Sequence, residues 1–425
     1  MKPVHSWGGQ IVTRLTWVRR VRAWTAAGAS FLAAAGAAYA DDASCTAVVS
    51  DAVGRCCVSE NPDLWFRADY ILWDVTGSDV PALVTSSPAG TPLAQAGTLG
   101  GPATTVLSGH ETINDHWRSG FALSGGYVID RCLGLSVVGD YFNAGRDSTG
   151  FTAGPNTGEI IARPFFNTQS GLPDRELVDV PSELAGNVRV SSYEDFQGAG
   201  AGLQACLWSC CDPCTGSGRQ LLVVGGYRFY QHDSALNITE NLQVLPGTTS
   251  PLVPGTTISI ADRFGAENEF HGGELGLQGR IQRAEWWVDG MALLAVGGNR
   301  RSVTVDGSTV NAVPNVGTAS YQGGLLTSSA TNIGHYSDTE AAVIPRFRLG
   351  AGCQVTNYLG VHVGYNVIIW DDVAQAAEHL PPGLAVDPRN LPPIQAGGGP
   401  DPAFPGIQDS TIVAHGFDVG LDLTF

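Results

Sequence analysis

The last fourteen residues constrain the fold more than any other stretch. From Val413 the chain alternates, with Phe417, Val419, Leu421, Leu423 and Phe425 on one face and Asp418, Gly420, Asp422 and Thr424 on the other. A period of two is a β-strand, because successive side chains leave the backbone on opposite sides. One face of this strand is wholly apolar and the other carries two carboxylates. A strand that meets lipid on one side and a polar lumen on the other has this pattern. The chain therefore reads as a barrel that its last strand closes. This ending also resembles the C-terminal targeting strand of bacterial outer-membrane proteins, through Asp418, Gly420, Leu423 and the terminal aromatic Phe425.

The beginning of the chain fits export. Lys2, Arg14, Arg19, Arg20 and Arg22 form a basic region without acids, residues 23–37 are small and apolar, and Ala38-Tyr39-Ala40 is an A-x-A cleavage site. Residues 1–40 are expected to be a signal peptide, 41–62 a periplasmic cysteine-containing lead-in, and 63–425 the barrel. Beyond the N-terminus there is no apolar run long enough for a spanning helix. Cleavage removes five basic residues and no acids, leaving 18 Lys and Arg against 40 Asp and Glu, a formal −22. Lys2 is the only lysine. Nucleic acid is excluded as a partner class, since phosphate binding needs clustered basic groups. Small solutes and cations are electrostatically compatible, and outer-membrane lipid and the outer-membrane assembly machinery are the expected partners. The oligomeric state is not legible.

Taken in order, ten alternating segments emerge. The first is Leu64 to Trp73, with Phe66, Ala68, Tyr70 and Leu72 opposite Arg67 and Asp69. The ninth, Leu359 to Ile369, is the cleanest, with Val361, Val363, Tyr365 and Val367 opposite His362, Gly364 and Asn366. Connections alternate in length: 76–116, 145–187, 236–257, 299–336 and 371–409 are long, while 130–133, 209–219, 282–284 and 355–358 are short. Long extracellular loops, short periplasmic turns and an even strand number characterise transmembrane barrels. The expected fold is all-β, an antiparallel transmembrane barrel of about ten strands, within a range of roughly 8 to 12.

Several blocks carry a family resemblance. Leu64-Trp-Phe-Arg-Ala-Asp-Tyr-Ile-Leu-Trp73, Val80-Pro-Ala-Leu-Val-Thr-Ser-Ser-Pro88, Gly225-Gly-Tyr-Arg228, Asn268-Glu-Phe-His-Gly-Gly-Glu-Leu-Gly-Leu277 and Val363-Gly-Tyr-Asn366 before Trp370 resemble the Putative beta barrel porin-7 family of outer-membrane proteins. The resemblance spans roughly 63–425 and implies an outer-membrane barrel. It does not by itself imply transport.

The alternation directs Arg67, Asp69, Asp140, Arg228, Glu274, Arg280, Asp289, Arg346, Arg348, Asp418 and Asp422 into the lumen, with Glu194 beside them. Buried charges are tolerated when paired and hydrogen-bonded. Two readings stay open: a packed ionic network in a closed lumen, or a narrow charge-lined channel for small hydrophilic solutes. The function follows the same division. One reading is porin-like passage, and the alternative is a closed structural or surface-interaction barrel acting through its long acidic loops.

Cys56, Cys57, Cys132, Cys206, Cys210, Cys211, Cys214 and Cys353 fall in the lead-in or at short-turn ends. An exported compartment favours disulfides among them, with connectivity undetermined. Cys211-Asp-Pro-Cys214 has redox or zinc spacing but no strand–helix context, so no metal or cofactor is expected. Asp115-His116, Asp371-Asp372, His379 and His415 are the candidates for rim catalysis. Neighbours on an extended strand point apart and no G-x-S-x-G element is present, so no enzymatic role is expected. The aromatics Trp65, Tyr70, Trp73, Tyr127, Tyr141, Tyr227, Tyr230, Trp286, Trp287, Tyr358, Tyr365 and Trp370 are expected to form interfacial girdles.

Overall fold

The computed structural model describes residues 63–101, 103–131, 133–155, 158–212, 217–393 and 403–425. The expected signal peptide and lead-in, with Cys56 and Cys57, lie outside these residues, as do Cys132 and Cys214. Ten strands form a closed antiparallel ring. They are β1 (Leu64–Val75), β2 (Arg118–Asp130), β3 (Leu135–Ala153), β4 (Leu184–Asp212), β5 (Ser217–Val244), β6 (Thr257–Arg283), β7 (Trp286–Val313), β8 (Gly334–Gln354), β9 (Leu359–Val373) and β10 (Ser410–Thr424). Each pairs with its sequence neighbours, and β10 closes the ring on β1 from Trp65↔Thr424 to Val75↔Ala414. No helix is long and apolar enough to cross a membrane among the described residues.

The lipid face is the one expected from alternation. Tyr70, Tyr127, Tyr227, Leu275, Val296, Val343, Val363 and Val419 point outward and are exposed. On β2 this band runs from Phe121 to Ile129, about the nine to eleven residues a tilted transmembrane strand requires.

Four strands are far longer than that. β4, β5, β6 and β7 have 29, 28, 27 and 28 residues, so more than half of each stands beyond the apolar band. Much of the chain expected as the loops 145–187, 236–257 and 299–336 is strand. The alternation continues there with its polarity inverted. On β5 the inward series passes from Arg228 and Tyr230 to Leu236, Ile238 and Leu242, all buried, while the outward series passes from Tyr227 to Asn237, Thr239 and Asn241. The outside meets lipid below and water above, and the inside changes from polar to apolar to match.

Above the band the wall is incomplete. Beyond Asn143, β3 pairs only with β4, and β8 leaves β7 at Val305↔Gly334. Gly317–Gln322 continues the wall on β7. Against this wall packs a five-stranded sheet made by the long loops. Glu159–Asn167 sits at its centre, between Val84–Pro88 and Leu172–Asp179, with Thr105–Ser108 and Ala385–Val386 completing it. Ile161 and Phe165 of the loop sheet meet Val188, Leu236, Phe264 and Val303 of the wall in one core. The long loops are therefore a folded head held by the strand extensions.

Candidate functional site: the lumen

Three layers fill the interior, and the first contains all eleven expected lumen charges. Arg228 donates through Nη1 and Nη2 to Asp140 at 2.7 and 2.8 Å, and through Nε and Nη2 to Glu274 at 2.9 and 2.7 Å. Arg346 donates to Asp140 at 3.2 Å. In a sequential ring of ten, β8 and β3 stand opposite each other, so this bond crosses the whole lumen. Arg348 donates to Asp289 and, at 2.8 Å, to Asp418. Arg67 donates to Asp422 at 2.7 Å and lies 4.0 Å from Asp289. Arg280 makes no ion pair among the described residues; its guanidinium lies 4.4 Å from the ring centroid of Trp287.

His362 completes this layer and escaped the sequence reading of charge, because a histidine on a clean strand carries no signal of its own. It stands inward on β9 and is buried. Its Nε2 is 2.5 Å from Asp69 and 3.6 Å from Asp418, and its Nδ1 is 2.9 Å from Asp422. Ionised carboxylates only accept, so Nε2 carries the proton it gives to Asp69, while Nδ1 and Asp422 Oδ2 lie close without a hydrogen bond. Six carboxylates in the layer face five guanidiniums, with the His362 imidazole among them. Asp69, His362 and Asp418 are close enough to hold a metal ion. However, the His362–Asp69 contact is at proton-sharing distance and Asp418 is occupied by Arg348 and Asn366, so the donors present fit protons better than a metal. A cavity of about 220 Å³ lies among these groups, lined in part by Arg228, Arg280, Asn366 and Asp418.

Local backbone explains how such large groups fit. A Cβ on Gly200 would fall 2.6 Å from Arg228 Cζ, and one on Gly364 would fall 2.6 Å from Asp418 Oδ1. The ring is narrow, and bare backbone on one strand makes room for a guanidinium or carboxylate from another.

The second layer is apolar and spans the lumen. Trp73, Phe142, Phe196, Tyr230, Phe270 and Trp370 are each no more than 2% exposed. Trp73 meets Phe142 at 5.1 Å between ring centroids, Phe142 meets Phe196 at 5.2 Å, and Phe196 meets Tyr230 at 6.0 Å. Trp370, on β9, reaches across to Phe196, Tyr230 and Phe270 at 6.2, 6.0 and 6.3 Å. Ile71, Ile344, Ile368 and Ile412 fill the rest. Five aromatics expected in the interfacial girdle are thus corrected. Trp73, Tyr230 and Trp370 belong to this septum, Trp287 is buried against Gly352 and Gly360, and Trp65 lines the cavity beside Arg67. All five are on the inward parity of their strands. Tyr70, Tyr127, Tyr227, Trp286, Tyr358 and Tyr365 do face outward.

The third layer lies in the head. Arg163 of the loop sheet enters the wall, donating to Asp262 at 2.6 Å and to Glu240 at 3.5 Å. Asp262 also accepts from Thr327 Oγ1 at 2.7 Å and Leu326 N at 3.0 Å, which ties in segment 323–333. Glu176 stands opposite Arg163 across the loop-sheet pair, and Glu176 Oε2 and Glu240 Oε1 are both out of solvent with no hydrogen-bond partner. Burial, reinforced by Glu240, pushes the Glu176 carboxyl well above the usual range against the pull of Arg163. Burial pushes Glu240 up to about 7, opposed by Arg163 and reinforced by Asp262.

The turn-end cysteines divide. Cys353 is a corrected expectation: it is a free thiol, and its cross-strand neighbours are Trp286 and Val361, so no second cysteine stands opposite it. Cys206, Cys210 and Cys211 lie on β4 towards its turn. Of the rim candidates, His116 stands 3.4 Å from Asp147 and exposed, His415 stands 3.9 Å from Asp74, and His379 is buried with Nδ1 2.8 Å from Gln375 O. Their other partners are Tyr365 Oη, 2.9 Å from His415 Nδ1, and Gln408 N, which donates to His379 Nε2 at 3.1 Å.

A ten-stranded ring with a terminal closing strand agrees with a family model described as Putative beta barrel porin-7 (BBP7), which matches residues 65–425. The chain belongs to this family. It is accordingly a porin-like outer-membrane β-barrel, and the BBP7 assignment covers every strand described above. Among solved structures it is similar to the outer membrane protease OmpT from Escherichia coli, at 13% identity over 86% of this chain and 97% of that one, with a TM-score of 0.31. It is similar also to a Pseudomonas aeruginosa FadL homologue, at 8% identity over 86% and 90% of the two chains and a TM-score of 0.20. A third is an anion-selective porin from Comamonas acidovorans, at 10% identity over 85% and 98%, with a TM-score of 0.13. No curated protein matches the chain.

Proposed function

We propose that this BBP7 barrel is a closed, non-catalytic outer-membrane protein whose role is structural and surface-facing. It anchors a folded acidic head outside the cell and leaves its short turns in the periplasm. The observation that carries this reading is the aromatic septum, in which six rings from strands on all sides of the lumen touch one another without solvent contact. The ionic layer supports it from the turn side, because nearly every cation there is engaged by a carboxylate. The head supports it from the other side by filling the mouth that an open porin keeps clear. Passage of small hydrophilic solutes is the second reading, and the 220 Å³ cavity among the lumen charges favours it. That space meets the septum, being lined also by Ile71, Trp73, Phe142 and Leu293.

Export through a cleaved signal peptide and disulfides at the periplasmic turns belong to the same proposal. Support for the disulfides comes from the exported compartment and from Cys206 and Cys210, which both lie on β4 towards its turn. Liposome swelling tests the closed reading. Vesicles carrying the folded protein are expected to swell in isotonic pentose no faster than protein-free vesicles. Swelling that scales with protein content and falls with sugar size would favour the porin reading.

A further inference from the structure

We infer that the head is latched to the barrel wall by a proton shared between Glu176 and Glu240, so that a rise in pH from acidic to neutral loosens the loop sheet. This goes beyond the closed-barrel reading and does not depend on whether the lumen conducts.

The geometry is a count of charges in a dry place. Arg163, Glu240 and Asp262 are all no more than 1% exposed. Glu176 is partly exposed along its stem, but its Oε2 is out of solvent. The four groups come from four elements. Arg163 is on the central strand of the loop sheet and Glu176 on its neighbour Leu172–Asp179, while Glu240 and Asp262 are on β5 and β6 of the wall. One guanidinium therefore faces three carboxylates. Asp262 takes the short bond to Arg163, together with the Thr327 hydroxyl and the Leu326 amide, which are donors suited to an ionised acceptor. Segment 323–333 brings no other charge to the cluster. Glu176, opposite Arg163 in the loop sheet, and Glu240 are left with Oε2 and Oε1 buried and without a donor, and a proton held between the two carboxyls supplies the one bond they can make. Once both are ionised, this bond becomes a repulsion between loop sheet and wall in a site that water does not reach.

The direction of the pH effect follows. Both carboxyls hold their protons to higher pH in the docked head than they would in water. The docked head therefore binds more protons than an opened one. Docking is strongest below the ordinary glutamate range near 4.5 and weakens as pH rises through about 7. Release of one proton on opening raises the opening constant by up to about tenfold per pH unit within that window.

Hydrogen exchange of the folded full-length protein in detergent tests this between pH 5 and pH 8, with rates corrected for intrinsic base catalysis. Amides of 159–179 are expected to lose protection several-fold per pH unit, while septum amides on β4 and β5 keep theirs. In Glu176→Gln the carboxamide donates to Glu240 at every pH, so the slope in 159–179 is expected to vanish. If that variant does not fold, Glu240→Gln presents a carboxamide from the wall side and is read in the same way. A corrected protection that is flat with pH in the wild type would overturn the latch. So would a slope unchanged in the folded carboxamide variant.

Discussion

Arg228 is the residue on which the ionic layer turns. It is 2% exposed and bonds two carboxylates from two strands, Asp140 on β3 and Glu274 on β6. Removing it strands Glu274 and leaves Asp140 with Arg346 alone. Breaking a buried ion pair by deleting one partner costs about 3–5 kcal/mol, because the partner's charge stays behind. Arg228→Ala is expected to lose that much, read as a lower urea midpoint for unfolding of the barrel in detergent, whereas Arg131→Ala at the exposed Asp63 pair should move the midpoint little. Much of this was legible at the residue scale. Parity alone assigns Arg228, Asp140 and Glu274 to the inside. It does not say which acid meets which base, because Arg346 and Asp140 lie on strands at opposite sides of the ring. His362 was visible as an inward residue but not as a charge, since its protonation depends on three acids brought by other strands.

At the scale of elements, two kinds of alternation share one strand. Below, the outward face is apolar and readable, as in Leu275, Leu277 and Ile281 of β6. Above, the same β6 turns Arg263, Glu267 and Glu269 outward and Ile260, Phe264 and Ala266 inward. A search for an apolar outward face therefore ends each strand near the top of the lipid band, and the remainder is mistaken for loop. The strand number survived this error because every extension belongs to a hairpin already counted. The aromatic residues were misplaced for a related reason. A Trp near a strand end suits an interface as well as a septum by position, and only parity separates the two. Trp370 is on the inward parity and packs on three rings from the far wall. Trp370→Ala removes a large buried side chain and is expected to cost about 3–5 kcal/mol, seen as heat-induced loss of the compact gel band at lower temperature.

The described residues form a narrow ring with three packed layers and one cavity of about 220 Å³ among the lumen charges. Charge pairs span the turn side, aromatic rings close the middle, and a loop sheet packs on the strand extensions at the other mouth. Each layer suits what surrounds it. Lipid outside allows a polar interior below, and water outside requires an apolar one above. On the proposed reading the sum is a scaffold that holds a head rather than a conduit, and this claim is exposed to direct test. Purified, folded protein would be added to a planar bilayer and current recorded under applied voltage, with denatured protein as control and folding verified by heat-modifiable mobility. The account predicts a silent membrane for the wild type. Stable, reproducible conductance steps from the folded wild-type barrel would contradict it.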